Sequence, residues 1–377
     1  MKRILLISTS YPDQAEGESA AGVFVRDFAC ALVDADIEVE VVAPALNSSL
    51  DEEAGVRVNR FAVPKLPLSL LNPLHVPHWA AIASTLVRGE QAVMNACERR
   101  RPDHILALWA LPSGAWAQSA ARKYGIGYSA WALGSDIWTL GKVPVVRAYL
   151  ARILRQAVHR FADGHQLAAE VERISGKSCA FLPSSRDFGG PARRTLNQFP
   201  PYRLAFLGRW HPNKGIDLLL DALVLLDDAA WGNIEAVRIH GGGLLEQQVV
   251  QGVKTLASIG RPVQVGGYLD LAGARELFDW ADFVLIPSRI ESIPVVFSDA
   301  MQAGRPVIAT PVGDLCRLVT DLGCGVLASA VEPSAIAQAI TEAVTLSPVQ
   351  FMSKAAQASL AFDVRRAVKH FLTTIHS

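Results

Sequence analysis

The chain has 377 residues, half of them apolar and fewer than a fifth charged, a length that outgrows a single hydrophobic core and a composition that excludes extended disorder. Its 36 basic and 36 acidic residues cancel, so no overall field recommends nucleic acid as a partner. Five cysteines, Cys30, Cys97, Cys179, Cys316 and Cys324, show neither metal nor redox spacing, which points to reduced thiols in a cytoplasmic protein and to no structural metal.

Residues 4–8 form an apolar run too short for a signal peptide. Helical spacing over 22–33 and a second strand-like run over 38–43 complete a βαβ opening. The uncharged stretch 66–87 carries Pro67, Pro73 and Pro77, which argues against a membrane-spanning helix. Alternation resumes at 105–109, 115–123 and 128–133, as in a parallel sheet flanked by helices. Residues 145–161 read as one helix with a broad apolar face running from Val145 to Phe161. Between Gly141 and Ala162 the chain carries Lys142, Arg147, Arg152, Arg155 and Arg160 and no acid. Such a helix either covers the sheet with a solvated basic face or docks reversibly on an anionic leaflet.

Residues 188–201, with Gly-Gly-Pro, two arginines and a Pro-Pro pair, have the composition of a linker. Beyond it, strands at 204–207, 237–240, 263–265, 283–287 and 307–310 alternate with helices, the first over 216–226. The expectation is an α/β protein of two Rossmann-like domains facing across a cleft. The boundaries are 1–187 for the first domain, 188–201 for the linker and 202–350 for the second domain, with a helical segment over 351–377 packing back on the first. Open sheets of this kind bind ligands outside the carboxyl ends of their strands.

Two segments carry chemistry. Phe206 to Asp217 reads Phe-Leu-Gly-Arg-Trp-His-Pro-Asn-Lys-Gly-Ile-Asp. A strand delivers Gly208 and Arg209 to the sheet edge and a loop returns Lys214 ahead of a helix. Two fixed cations there suit a diphosphate, or are plain surface cations. In the second segment, around Glu291, Ser292 is expected to cap a helix with Pro294 in its first turn, placing Glu291 at the entrance and Asp299 inside. Free amides and a carboxylate at that entrance can receive an anion and sugar hydroxyls.

These two stretches resemble the donor-binding motifs of the retaining glycosyltransferases of family four, which have the GT-B fold. The resemblance implies that Arg209 and Lys214 grip a donor diphosphate, that Glu291 contacts the donor sugar and that Asp299, in place of a glutamate, contacts the ribose. Gly22, Gly208, Gly242, Ser292 and Ile293 fall at further donor-binding positions. Trp131 to Ile137 is similar to the family's His-Gly-Ser-Asp-Ile segment, with Leu133 in place of the histidine, and Leu108 stands where relatives often have another. Asp136 remains at the acceptor edge or caps a turn, and Arg147 and Arg152 are the other acceptor-side candidates.

The function expected is retaining transfer of a sugar from a nucleotide-diphosphate-sugar donor to an acceptor hydroxyl, on a glycan or lipid-linked acceptor of envelope or exported polysaccharide synthesis. Glu291, Arg209 and Lys214 are the catalytic candidates. No cofactor is expected, and no metal, since neither an Asp-x-Asp pair nor a His/Cys cluster stands in the donor segments. The alternatives are a non-catalytic nucleotide-sugar-binding subunit and a sugar-nucleotide epimerase on the same fold. The expected location is cytoplasmic, with peripheral contact to an anionic membrane face.

Overall fold

The computed structural model describes residues 2–12, 22–68, 71–72 and 75–376. They fall into two compact units, Met1–Arg186 with Val364–Ser377, and Asp187–Asp363.

The first unit is built on eight strands: β1 (Arg3–Ile7), β2 (Glu38–Ala45), β3 (Ser49–Glu53), β4 (Val56–Ala62), β5 (His104–Leu108), β6 (Gly127–Ala132), β7 (His159–Ala162) and β8 (Ala180–Phe181). Their order is β3-β4-β2-β1-β5-β6-β7-β8. All pairings are parallel except β3 with β4. Both central strands, β1 and β5, are buried throughout, as expected of a parallel sheet covered on both faces. Successive residues serve opposite cores, because side chains alternate along a strand. Ile4 and Leu6 join Phe28 and Phe371 on one face, whereas Leu5 and Ile7 join Trp116, Leu150 and Ile153 on the other.

The second unit holds six parallel strands: β9 (Tyr202–Arg209), β10 (Ile234–Gly242), β11 (Val263–Gly266), β12 (Phe283–Ile286), β13 (Val307–Ala309) and β14 (Gly325–Leu327). Their order is β11-β10-β9-β12-β13-β14. From β9 the chain winds outward through β10 and β11, then returns to β12 on the other side of β9 and winds the opposite way. The chain therefore turns in opposite directions after β9 and after β12, which makes their carboxyl ends the switch point of this sheet, where open α/β sheets bind ligands.

Residues 188–201 pack on the second unit. Phe188 lies 5.2 Å, centroid to centroid, from Phe278. Arg194 pairs with the buried Asp282 carboxylate at 2.7 Å, and the Asn197 amide donates to the same oxygen at 2.9 Å. At the far end, helix Val349–Ser359 belongs to the second unit, whereas helix Val364–His376 joins the first. There Phe371 meets Phe28 at 5.7 Å and Phe161 at 5.5 Å.

The helix expected over 145–161 is shorter: it spans Pro144–Gln156. Ala157 turns out of it at ψ 136°, and Arg160 and Phe161 lie in β7. The buried Arg160 guanidinium donates to the carbonyls of Leu154, Ala157, Val158 and Ser178, satisfying acceptors that the helix end leaves open. Among the described residues no helix is long and apolar enough to cross a membrane.

Candidate functional site

Strand β9 runs through Gly208 and ends on the exposed Arg209. Arg209 stands opposite Gly242 in the pairing with β10. The chain then makes a short 3-10 turn, Pro212–Lys214, closed by hydrogen bonds from the Lys214 amide to His211 and from Gly215 to Pro212. Helix Ile216–Leu225 follows, after Gly215 in the left-handed region at φ 65°. A β-carbon on Gly215 would lie 1.8 Å from the Pro287 carbonyl oxygen. Only glycine lets the lysine turn lie flush on the loop after β12.

That close approach brings Lys214 to Glu291: its Nζ makes an ion pair with Glu291 Oε1, and Ser288 Oγ donates to the same oxygen at 3.1 Å. The pair is mostly enclosed, with the lysine side chain 27% and the glutamate side chain 12% exposed, so its attraction is screened less than on an open surface. His211 registers the local charge. Its imidazole is held below its usual pKa by burial, then by the positive charges of Arg209 and Lys214. Two cations and one carboxylate therefore gather at the carboxyl edge of β9 and β12.

The glycine-rich end of β10 packs beside the same edge. A β-carbon on Gly241 would sit 1.9 Å from the Gly208 carbonyl oxygen, so the strand must remain bare there. Tyr268 donates its hydroxyl to the Gly242 carbonyl at 2.8 Å. Trp210 Nε1 and Ser292 Oγ are buried at this edge without a hydrogen-bond partner.

Ser292 does not cap the helix that follows Glu291. The helix spans Val295–Gln302 with Pro294 at its N-cap position and no side-chain cap. Ser292 lies two residues before that position, so its hydroxyl misses the first-turn amides. Ile293 is buried beside it, and Asp299 lies within the helix at 1% exposure.

In the first unit, Gly22 forms the N-cap of helix Val23–Asp34, against the backbone of Ser10 and Tyr11. Residues 13–21, which precede it, lie outside the described residues. Asp136 follows β6 in the short helix Ser135–Trp138, at the carboxyl edge of the first sheet. It is buried, with Oδ2 accepting from the Ala110 amide at 2.6 Å and Oδ1 from the Leu133 amide at 3.2 Å. Burial pushes its pKa up to about 6 despite those bonds. Leu108 is buried in β5. Arg147 donates to Glu170 at 3.2 Å, while Arg152 is exposed on the same helix.

Sequence reasoning singled out Arg209, Lys214 and Glu291, but it missed Ser288, Asp217 and Arg289, which brace Glu291 and the turn that carries Lys214. The available signal was a pair of opposite charges, one just after the lysine and one just before the glutamate. No group of three or more metal-ligating side chains occurs among the described residues.

Two family models cover most of the chain: a glycosyl transferase 4-like domain matches residues 19–178, and glycosyl transferases group 1 matches residues 201–345. The chain is a glycosyltransferase of the GT-B fold. This glycosyltransferase is 26% identical to a D-inositol 3-phosphate glycosyltransferase of Actinosynnema mirum over 92% of its own length and 90% of the relative's. It is 31% identical to the protein of that name from Mycolicibacterium gilvum, over 51% of the chain and only 43% of the relative. Among solved structures it is similar to an Anabaena protein, HepE, in complex with UDP-glucose, with a TM-score of 0.72 at 18% identity and the whole of both chains covered.

Proposed function

We propose that this glycosyltransferase moves a sugar from a nucleoside-diphosphate donor to an acceptor hydroxyl with retention of configuration. The observation that carries the reading is the Lys214–Glu291 pair beside Arg209 at the β9/β12 switch point. Breaking the bond between sugar and diphosphate leaves negative charge on the departing phosphate. Arg209 and Lys214 offer fixed positive charge where it develops, and one well-placed donor of this kind lowers a barrier by roughly 3–4 kcal/mol. Glu291, held between Lys214 and Ser288, presents its remaining oxygen to hydroxyls of the sugar, and Asp299 serves the ribose. The two cations take the part that a divalent ion plays elsewhere, so transfer proceeds without metal.

The acceptor is a glycan or lipid-linked hydroxyl presented at a membrane surface. Support comes from the exposed end of helix Pro144–Gln156, where Val145 (81% exposed), Val143 and Tyr149 lie among Lys142 and Arg152. An apolar patch flanked by cations suits an anionic leaflet, and Glu170, an acid that reaches this helix, is paired with Arg147 and Arg173.

The donor reading is tested by titrating uridine, guanosine and adenosine diphosphates into the wild type and into Arg209→Ala and Lys214→Ala. The expected result is one preferred nucleotide, bound at least tenfold more weakly by each variant. Transfer from the corresponding nucleotide sugar should persist in a chelator and fall on Glu291→Gln through kcat. Wild-type nucleotide affinity in both cation variants overturns the assignment.

A further inference from the structure

The loops that carry Lys214 and Glu291 are bound to each other by a second pair of charges. Arg289 presents a fork to Asp217, Nη1 to Oδ1 at 2.7 Å and Nη2 to Oδ2 at 2.6 Å. The same Nη1 donates to the Pro212 carbonyl at 2.7 Å, and the Arg289 amide donates to the Asn213 carbonyl at 2.8 Å. One residue thus holds the turn Pro212–Lys214 at two of its carbonyls and the first turn of helix Ile216–Leu225 at Asp217. It does so from a position two residues before Glu291.

The chemistry suits a rigid spacer. A guanidinium–carboxylate fork fixes both separation and orientation, which a lysine at the same place does not. Burial raises the Asp217 carboxyl, but the hydrogen bonds and charge of Arg289 outweigh it and hold the group below its usual range. Arg289 is raised in turn by its bond to Asp217. Both groups therefore stay ionised throughout the neutral range. The side chains are 32% and 21% exposed, and the fork joins the loop after β12 to the first turn of helix Ile216–Leu225.

We infer that Arg289 and Asp217 form a positioning clamp that fixes the distance between Lys214 and Glu291, so that cation and carboxylate meet the donor as one preorganised pair. This rests on the donor reading of Lys214 and Glu291. Preorganisation matters because a displacement of about 1 Å in a group that meets the transition state can cost a hundredfold in rate.

The experiment uses the full chain and the nucleoside diphosphate that the wild type binds best. Variants Arg289→Lys, Asp217→Asn, Lys214→Ala and the double variant Asp217→Asn/Lys214→Ala are compared by calorimetry, by steady-state kinetics and by melting. The clamp predicts that Arg289→Lys and Asp217→Asn each weaken diphosphate binding about tenfold and lower kcat, with melting temperatures close to wild type. Lys214→Ala should then cost much less affinity in the Asp217→Asn background than in the wild type, since coupled residues are not additive. The exchange Asp217→Arg/Arg289→Asp should recover part of the loss. Full additivity, or lowered melting with wild-type affinity and kcat, overturns the clamp and leaves the donor reading standing. A Lys214→Ala variant with wild-type affinity overturns the donor reading and the clamp with it.

Discussion

Enclosing the Asp136 carboxyl raises its pKa to about 6, burial outweighing the hydrogen bonds it accepts from the Ala110 and Leu133 amides. In the unfolded chain the group titrates near 3.9. The folded state therefore binds the proton more tightly, and the stability this contributes is full below about pH 4 and lost as pH rises through about 6. A shift of about 2 units corresponds to roughly 3 kcal/mol. Urea unfolding between pH 4 and pH 7 should show a decline in the wild type that Asp136→Asn lacks; parallel curves for the two proteins would reject the assignment. The burial was hidden from sequence, because Ala110 lies 26 positions away and only the fold brings its amide to Asp136. Arg209, Lys214 and Glu291 were legible because their neighbours carry signals of their own: an apolar strand, a Lys-Gly turn and a proline before a helix. The fork between Arg289 and Asp217 was not legible, since it spans 72 positions and each partner alone looks like a surface charge.

At the scale of elements, apolar runs located the central strands well, because strands buried on both faces carry little else. The edge hairpin escaped notice: β3 reads Ser-Leu-Asp-Glu-Glu and is partly or fully exposed along its length, so no hydrophobic alternation marks it. Helix Pro144–Gln156 was read five residues too long because Ala157, Val158 and Phe161 happen to continue its spacing while belonging to the turn into β7 and to β7 itself. Helix Val364–His376 closes the face of the first sheet that holds Phe28, Trp131 and Phe161. Its Phe371 is fully buried, and removing so large a side chain costs about 3–5 kcal/mol. Phe371→Ala should accordingly speed hydrogen exchange in β1, β5 and β6 and leave β9 and β12 protected as in the wild type. Equal acceleration in both units would show that they do not unfold separately.

For the whole molecule, the proposed membrane contact is read most directly by co-sedimentation with vesicles. Anionic vesicles at low salt should bring down the protein, neutral vesicles should not, and salt should release it, since charges near a surface act only within a Debye length of about 10 Å at 0.1 M. Val145→Asp with Arg152→Gln should abolish binding. Retention by that variant would place the contact elsewhere on the protein.

The first unit is assembled from two stretches of chain with the entire second unit between them. During synthesis, then, β1 to β8 emerge early but lack the helix that covers Phe28 and Phe161 until some 177 further residues, Asp187–Asp363, have been made. The second unit is continuous in sequence and can fold as soon as it leaves the ribosome. Translation thus delivers the later unit finished and the earlier one open, with an apolar face that must wait for its cover. A stall or nonsense codon anywhere before Val364 leaves that face without its cover, with its apolar side chains open to aggregation.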